Sequence, residues 1–235
     1  MDPLIRTARV TGLLYLGLAV AGGLGFLLVR SRLFVDGDPA ATLANLAAHE
    51  SLARAGVALE LLTVLTQALA AVWFHRLFRT AHASAAAGIA AFGLVNAALI
   101  LVSAALLGAA VQLAGDPFGD AASSVQLLYL VSGGLWSAGG IFFGLWLIPM
   151  GWCVLRSGWM PRALGWILIA GGIGYVLDAF LGYLTPGLAA AGDVLVVPAT
   201  VGELWMVGHL LVRGVRRPAP EPGATPEPGA VPAAA

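Results

Sequence analysis

Residues 162–184 read RALGWILIAGGIGYVLDAFLGYL, and this stretch decides the fold class. After Arg162 it holds a single charged side chain, Asp178, and it is as long as the roughly 20 apolar residues that cross a bilayer core as a helix. The pattern therefore predicts a transmembrane helix. An unpaired charge inside such a helix costs roughly 2.5 to 3.5 kcal/mol on insertion scales, so Asp178 needs a partner or a use.

The composition of the whole chain agrees with this stretch. Sixty per cent of the residues are hydrophobic, 10% are charged and the mean hydropathy is +0.91. Soluble domains are typically about 45 to 50% apolar and about 25% charged, so this composition indicates an integral membrane protein. The net charge is zero, which leaves no basic surface for nucleic acid. Cys153 is the one cysteine and excludes an internal disulfide, so we expect it to be a small packing residue.

Six apolar stretches are long enough to span a bilayer. The fold class that they predict is all-α, a bundle of six transmembrane helices over residues 1–217. The first stretch lacks a clear cleavage site, which favours a retained span over a removed signal peptide. Residues 218–235 read PAPEPGATPEPGAVPAAA, a composition that predicts a disordered tail. The predicted spans lie near residues 8–29, 54–76, 84–111, 125–154, 162–184 and 194–213.

The arginines predict the orientation. With the N-terminus inside, nine arginines fall in inner segments and three, Arg30, Arg32 and Arg54, fall outside, so both termini are predicted to be cytoplasmic. Trp73, Trp152 and Trp159 fall at the predicted inner boundary, where aromatic belts occur. All twelve basic residues are Arg, which suggests a GC-rich bacterial genome. We therefore expect a multi-pass protein of the bacterial cytoplasmic (inner) membrane.

The first outer loop contains its own helix signal. Asp38 suits an N-cap and Pro39 suits the first helical position, and good helix formers follow. A helix is predicted to begin there, outside the membrane, and either to lie on it or to continue into the second span.

Polar residues inside the spans are the candidate site. Glu60, Thr63 and Gln67 share one face of the second span, which must face protein or water. Asp178 shares a face with Gly171 and Gly174, so we expect it to point at a neighbouring helix. The remaining candidates are Glu203 in the sixth span, Asn96 in the third and His49 in the first outer loop.

Depth is the coordinate that these acids share. At 1.5 Å per residue, Glu60 and Asp178 lie roughly 9 Å below the outer boundary and Glu203 roughly 14 Å below it. No arginine is predicted within a span, so their partners are protons, a bound cation, polar helix groups, or Arg30, Arg32, Arg54 and His49 reaching in from the first outer loop. A shared depth makes one common pocket possible.

Each of these signals also has a purely structural interpretation. A buried acid can be a protonated hydrogen-bonding group between helices, and His49 in a loop is typical of a solvated or capping side chain. The compact His and Glu spacings of metal sites are missing, and no motif for a nucleophile, a phosphate loop or a dinucleotide is present, so we predict neither a metal nor a cofactor. Gly140 and Gly144 form a GxxxG pattern that we attribute to packing inside the bundle.

The stretch FFGLWLIPMGWCVLRSGWMPRALGWILIAGGIGYVLDAF (142–180) resembles the signature of a bacterial membrane family known as domain of unknown function 4386. The first outer loop is similar to that family's Gly-Asp-x-x-x-Thr-x-x-Asn segment, here Gly37, Asp38, Thr42 and Asn45. The resemblance covers most of residues 5 to 215. It implies a polytopic membrane domain in which Asp178 and Glu203 match the family's recurring acids, and it implies no reaction, substrate or cofactor.

Three functional hypotheses follow from the sequence. The first is a binding or sensing protein with a polar pocket in the outer half, formed by Glu60, Asp178, Glu203 and Asn96 and covered by residues 38–53. Such a pocket suits a cationic or amphiphilic small molecule, a lipid or a proton. The second is an intramembrane enzyme acting on a lipid or isoprenoid. The third is a transporter or channel subunit, which the lack of a visible repeat disfavours. Membrane lipids are the expected partners.

Overall fold

The computed structural model describes residues 3–185 and 189–215, and within them it is all-helical, with six helices long and apolar enough to cross a membrane. The prediction of a six-helix membrane bundle is confirmed. The predicted tail lies outside the described residues. The elements are α1 (Pro3–Gly23), a π-helical segment (Leu24–Arg30), α2 (Ser31–Leu33), α3 (Pro39–Ala48), α4 (Glu50–Phe78), α5 (Ala83–Gly115), α6 (Ala121–Ser157), α7 (Arg162–Leu184) and α8 (Ala189–Val212).

Local chemistry explains where several helices begin and end. The Asp120 carboxylate accepts a hydrogen bond from the Ser123 amide at 3.1 Å and caps α6. Hydrogen bonds from the Ser123 side chain and backbone hold the pKa of Asp120 below its usual value. The His82 Nδ1 atom caps α5 in the same way. Gly158 ends α6 with φ +66°, a left-handed conformation that glycine adopts without strain.

The six spans form a closed ring in chain order. Each of α4, α5, α6 and α7 packs against the next helix, and α1 closes the ring by packing against both α4 and α8. Glycines permit the closest approaches. A Cβ atom at Gly144 would collide with the Gly172 carbonyl of α7, and one at Gly174 would collide with the Leu195 carbonyl of α8. The GxxxG glycine Gly144 therefore packs inside the bundle, as predicted.

The loop helix α3 begins where the sequence predicts. Asp38 accepts a hydrogen bond from the Ala41 amide at 2.9 Å, and Pro39 occupies the first turn. The Thr42 hydroxyl exchanges hydrogen bonds with the backbone of Val35, and the Asn45 amide donates to the Leu33 carbonyl. These bonds tie α3 to the end of the first span. A break at His49 then separates α3 from α4, so the helix does not run on into the second span.

The largest apolar core lies toward the end of the bundle opposite α3. Trp146 of α6 is fully buried and makes edge contacts with Tyr15 of α1 and Phe74 of α4. Cys153 is buried and free in the same core, which confirms its role as a packing residue. At that end the Arg76 guanidinium lies 5.1 Å from the Trp73 ring centroid and the Arg156 guanidinium 6.0 Å from that of Trp152.

Candidate functional site

The polar face of α4 points into the protein, as its helical spacing predicts. Glu60 is 9% exposed, Thr63 is 1% exposed and Gln67 is fully buried. Glu60 is the charged member of this face, and the helices packed around it supply its partners.

Glu60 lies at one end of a chain of hydrogen bonds. Its Oε1 atom accepts from the Trp136 indole at 3.1 Å and from the Ser103 hydroxyl at 3.3 Å. Ser103 lies 2.8 Å from the Ser132 hydroxyl, to which the Arg30 guanidinium donates at 3.1 Å. The chain links α4, α5 and α6 to the end of the first span.

Arg30 belongs to the first spanning helix, and the prediction that no arginine lies within a span is wrong. The apolar run ends at residue 29, but the helical backbone continues through the π-helical segment and α2 to Leu33. Arg30 turns inward, where it also donates to the Tyr129 carbonyl at 2.8 Å. Its guanidinium lies 5.4 to 5.7 Å from the ring centroids of Phe26, Phe34 and Tyr129. These ring faces and hydrogen bonds stabilise the charge at this depth.

Arg30 and Glu60 line the same small cavity. Its volume is about 20 Å³, and both side chains line it together with Thr63 and Trp136. The Glu60 Oε2 atom is buried beside it with no hydrogen-bond partner from the protein. A cavity of this volume admits one water molecule, and a carboxylate and a guanidinium supply the acceptor and the donors that a buried water needs.

A larger cavity of about 340 Å³ surrounds Glu203 of α8. The Tyr15 hydroxyl donates to the Glu203 Oε1 atom at 2.6 Å, and the Tyr175 hydroxyl interacts with the same carboxyl group. The remaining walls are mostly apolar or glycine. They comprise Leu18, Ala19, Gly22, Gly23, Thr63, Trp136, Phe143, Thr200, Leu204 and Val207.

The mouth of this larger cavity lies between α1 and α8. Ala19, Thr200 and Leu204 on its rim are exposed although they lie well inside spanning helices, and Leu204 is 60% exposed. α1 and α8 meet closely at Gly12, where a Cβ atom would lie 2.8 Å from the Leu210 Cβ atom, whereas a Cβ atom at Gly23 would meet nothing within 4 Å. The cavity therefore opens through the side of the bundle, partway along the spanning helices.

The two cavities are neighbours with a common wall of Gly22, Thr63 and Trp136. Four aromatic rings, Phe26, Trp136, Phe143 and Tyr175, run in sequence along this region at centroid spacings of 5.7 to 6.3 Å. Trp136 therefore separates the acid of α4 from the acid of α8.

The other candidate residues lie elsewhere. Asp178 points at the start of α8, where a Cβ atom on Gly192 would collide with its carboxylate, and it does not line either cavity. Asn96 is buried behind Trp136, beside a small void, with its Nδ2 atom unpartnered. His49 is exposed where α3 ends. The structure thus brings Glu60 and Glu203 into adjoining cavities and leaves Asp178 and His49 outside them.

Among the described residues, no cluster of three or more His, Cys, Asp or Glu side chains could hold a metal ion.

One comparison with known proteins identifies a family. The profile of the family described as Domain of unknown function (DUF4386) matches residues 10–214. This chain belongs to that family. No curated protein and no solved structure matches the chain. Membership confirms the resemblance, and the structure gives a physical role to the loop segment that carries it. Gly37 adopts φ +70°, Asp38 caps α3, and Thr42 and Asn45 fix the backbone that follows Arg30.

Sequence reasoning missed several residues of these two cavities and of the hydrogen-bonded chain beside them. Tyr15, Trp136 and Tyr175 are aromatic residues in apolar helices, a pattern typical of core packing. Ser132 is a small polar residue with no periodic partner on its own helix. The Gly-rich stretch GGLWSAGG (133–140) could have pointed to Trp136, because one large indole there stands among small residues.

Proposed function

We propose that this multi-pass membrane protein binds a small amphiphilic molecule that enters from the bilayer and places a cationic amine head against Glu203. The observation that carries the proposal is the cavity of about 340 Å³, with apolar walls, one carboxyl group and a lipid-facing mouth. Small-molecule pockets typically measure about 300 to 1,000 Å³ and combine apolar walls with a few fixed polar groups.

The chemistry of the walls supports this ligand class. Leu18, Phe143 and Val207 suit an alkyl chain, because burial of apolar surface is favourable at roughly 25 cal/mol per Å². The Tyr15 hydroxyl holds the Glu203 carboxyl group in one orientation. A charge-assisted hydrogen bond from an amine to this carboxyl group would distinguish an alkylamine from an alkanol of the same length.

Photolabelling tests the proposal directly. A long-chain primary amine with a diazirine in its chain is added to the purified protein, and labelled peptides are located by mass spectrometry. The expected label falls on α8 near Glu203 and on α1 near Ala19, and excess dodecylamine removes it. In Glu203→Gln the label should fall at least about tenfold, whereas Glu50→Gln, at an exposed acid, should label like wild type.

Two results would contradict the proposal. The first is label spread evenly over the lipid-facing helices. The second is equal labelling by the amine and by the matching alcohol probe. A chemical change in the recovered probe would instead favour the intramembrane enzyme.

We also infer that both termini lie in the cytoplasm of a bacterium and that the α3 end faces outward. The nine-to-three distribution of arginines supports this orientation. Reporter fusions after residues 80 and 217 should read cytoplasmic, and a fusion near residue 118 should read external. An external reading after residue 217 would overturn the orientation.

A further inference from the structure

At the end of the bundle opposite α3, the charged side chains among the described residues are basic and none is acidic. The described acids lie elsewhere, either within the spans (Glu60, Asp178, Glu203) or at the α3 end (Asp36, Asp38, Glu50, Asp116, Asp120, Asp193). The helix ends opposite α3 place seven arginines and three histidines together, namely Arg6, Arg9, Arg76, Arg79, Arg156, Arg162, Arg213, His75, His82 and His209. An anionic partner suits this end of the protein.

A groove lies within this basic end. The turn from Gly158 to Pro161, which joins α6 to α7, faces His209 and Arg213 at the end of α8, and together they enclose about 480 Å³. Trp159 lines the groove with its ring stacked on Phe78, at a centroid distance of 6.2 Å. Arg213 therefore lies on one side of the groove, and Trp159, packed on Phe78, lies at its base.

A second groove continues from the first toward the lipid-facing surface. It measures about 410 Å³, shares Pro161, His209 and Arg213 with the first, and is lined further along by Trp205, Gly208 and Val212. Val212 is 78% exposed and Trp205 is 39% exposed. The pair of grooves thus offers the Arg213 guanidinium and the His209 imidazole at one end and apolar surface at the other.

From this arrangement we infer that the groove between the α6–α7 turn and α8 binds the head group of an anionic phospholipid. The phosphate lies against Arg213 and His209, and an acyl chain follows Trp205 and Val212. Basic pockets between spanning helices at a membrane interface recognise anionic lipid head groups in this way. The start of α7 adds to the attraction, because Pro161 provides no side-chain cap for its first amides.

Native mass spectrometry of the full chain, with phosphatidylglycerol and phosphatidylcholine as probes, tests the inference. We expect wild type to retain phosphatidylglycerol in preference to phosphatidylcholine. Arg213→Gln should weaken retention of phosphatidylglycerol at least about tenfold. Arg79→Gln, at the same end but outside the groove, should behave like wild type. Val212→Asp places a negative charge beside Arg213 and should weaken retention as strongly, so the test does not depend on one variant.

Three results would overturn the inference. Wild-type retention in Arg213→Gln and Val212→Asp would show that the groove is not used. An equal loss in Arg79→Gln would show that the overall charge of this end, and not the groove, attracts the lipid. Equal competition by water-soluble glycerophosphoglycerol at the lipid's concentration would show that the site takes a free phosphate ester and not a lipid. Lipid retention does not involve Glu203. A failure of the lipid inference and a failure of amine binding at Glu203 are therefore separate outcomes.

Discussion

Replacing Arg30 by Gln should destabilise the bundle far more than replacing Arg54, although both were assigned to the same outer loop. Arg30→Gln removes two hydrogen bonds, to Tyr129 and to Ser132, and three contacts with aromatic faces. Hydrogen bonds between membrane helices contribute about 0.6 to 1.7 kcal/mol each, and exposed cation–π contacts about 0.5 to 1 kcal/mol. With incomplete additivity, we expect a loss of about 2 to 4 kcal/mol.

Arg54 is the matched control. It pairs with Glu50 one turn away, and the two side chains are 70% and 54% exposed. Such exposed pairs contribute about 0.3 to 0.5 kcal/mol, so Arg54→Gln should remain within that range. The free energy of unfolding is measured by SDS titration of protein in mixed micelles, followed by the loss of helical circular dichroism.

A double-mutant cycle tests the link to Glu60. The double variant of Arg30→Gln and Glu60→Gln should lose less than the sum of the two single variants, because both belong to one hydrogen-bonded chain. The reasoning is refuted if Arg30→Gln costs no more than Arg54→Gln. Strict additivity in the cycle would refute the link while leaving the local contacts of Arg30 intact.

Four further predictions concern packing, capping and charge. Gly144→Ala should cost about 1 to 3 kcal/mol in SDS unfolding because its methyl group collides with α7, whereas Gly182→Ala, whose Cβ atom meets nothing, should be nearly neutral. Thr42→Val should lower stability by about 1 kcal/mol and loosen the α3 loop to protease, through the loss of its bonds to Val35. Asp178→Asn should cost less than about 1 kcal/mol and leave amine binding unchanged, because the residue lies outside the cavity; a loss of amine binding would place Asp178 in the functional site. In an NMR titration the Asp120 carboxyl should ionise at a lower pH than a free aspartate, because its pKa is depressed in the folded protein. Its stabilising effect is therefore complete above the unfolded pKa and is lost as the pH falls through the folded pKa. An ordinary pKa for Asp120 would contradict its role as the cap of α6.

Sequence patterns were enough to predict the framework because each rests on a local rule. Hydropathy located the six spans, and the Asp38–Pro39 pair located the start of α3. The prediction of where the first span ends was wrong at Arg30, because a charged residue after an apolar run normally marks the end of a span. Phe26 and Phe34, four residues to either side of Arg30, and Tyr129 and Ser132 of α6 make that charge tolerable. The sequence around Arg30 does not reveal the two partners on α6.

The site was harder to predict than the framework because depth is only one coordinate. The sequence predicts one depth range for Glu60, Asp178 and Glu203, but the rotation of each helix decides where its acid points. Packing of Gly171 on Ala199 and of Gly174 on Leu195 turns Asp178 toward the start of α8, while Glu203 turns toward Tyr15. These rotations depend on contacts between helices, which the sequence of one helix does not encode.

Filling the cavity tests the account most directly. Gly23 lines it in an ordinary right-handed helical conformation, and a Cβ atom there meets nothing within 4 Å, so Gly23→Leu should fold and occupy ligand space. Gly108→Leu adds the same side chain to α5, at a site that is equally open and does not line the cavity. The measurement is the dissociation constant of dodecylamine by native mass spectrometry. We predict binding at least about tenfold weaker in Gly23→Leu and unchanged in Gly108→Leu; equal affinities in wild type and both variants would contradict a ligand site beside Glu203.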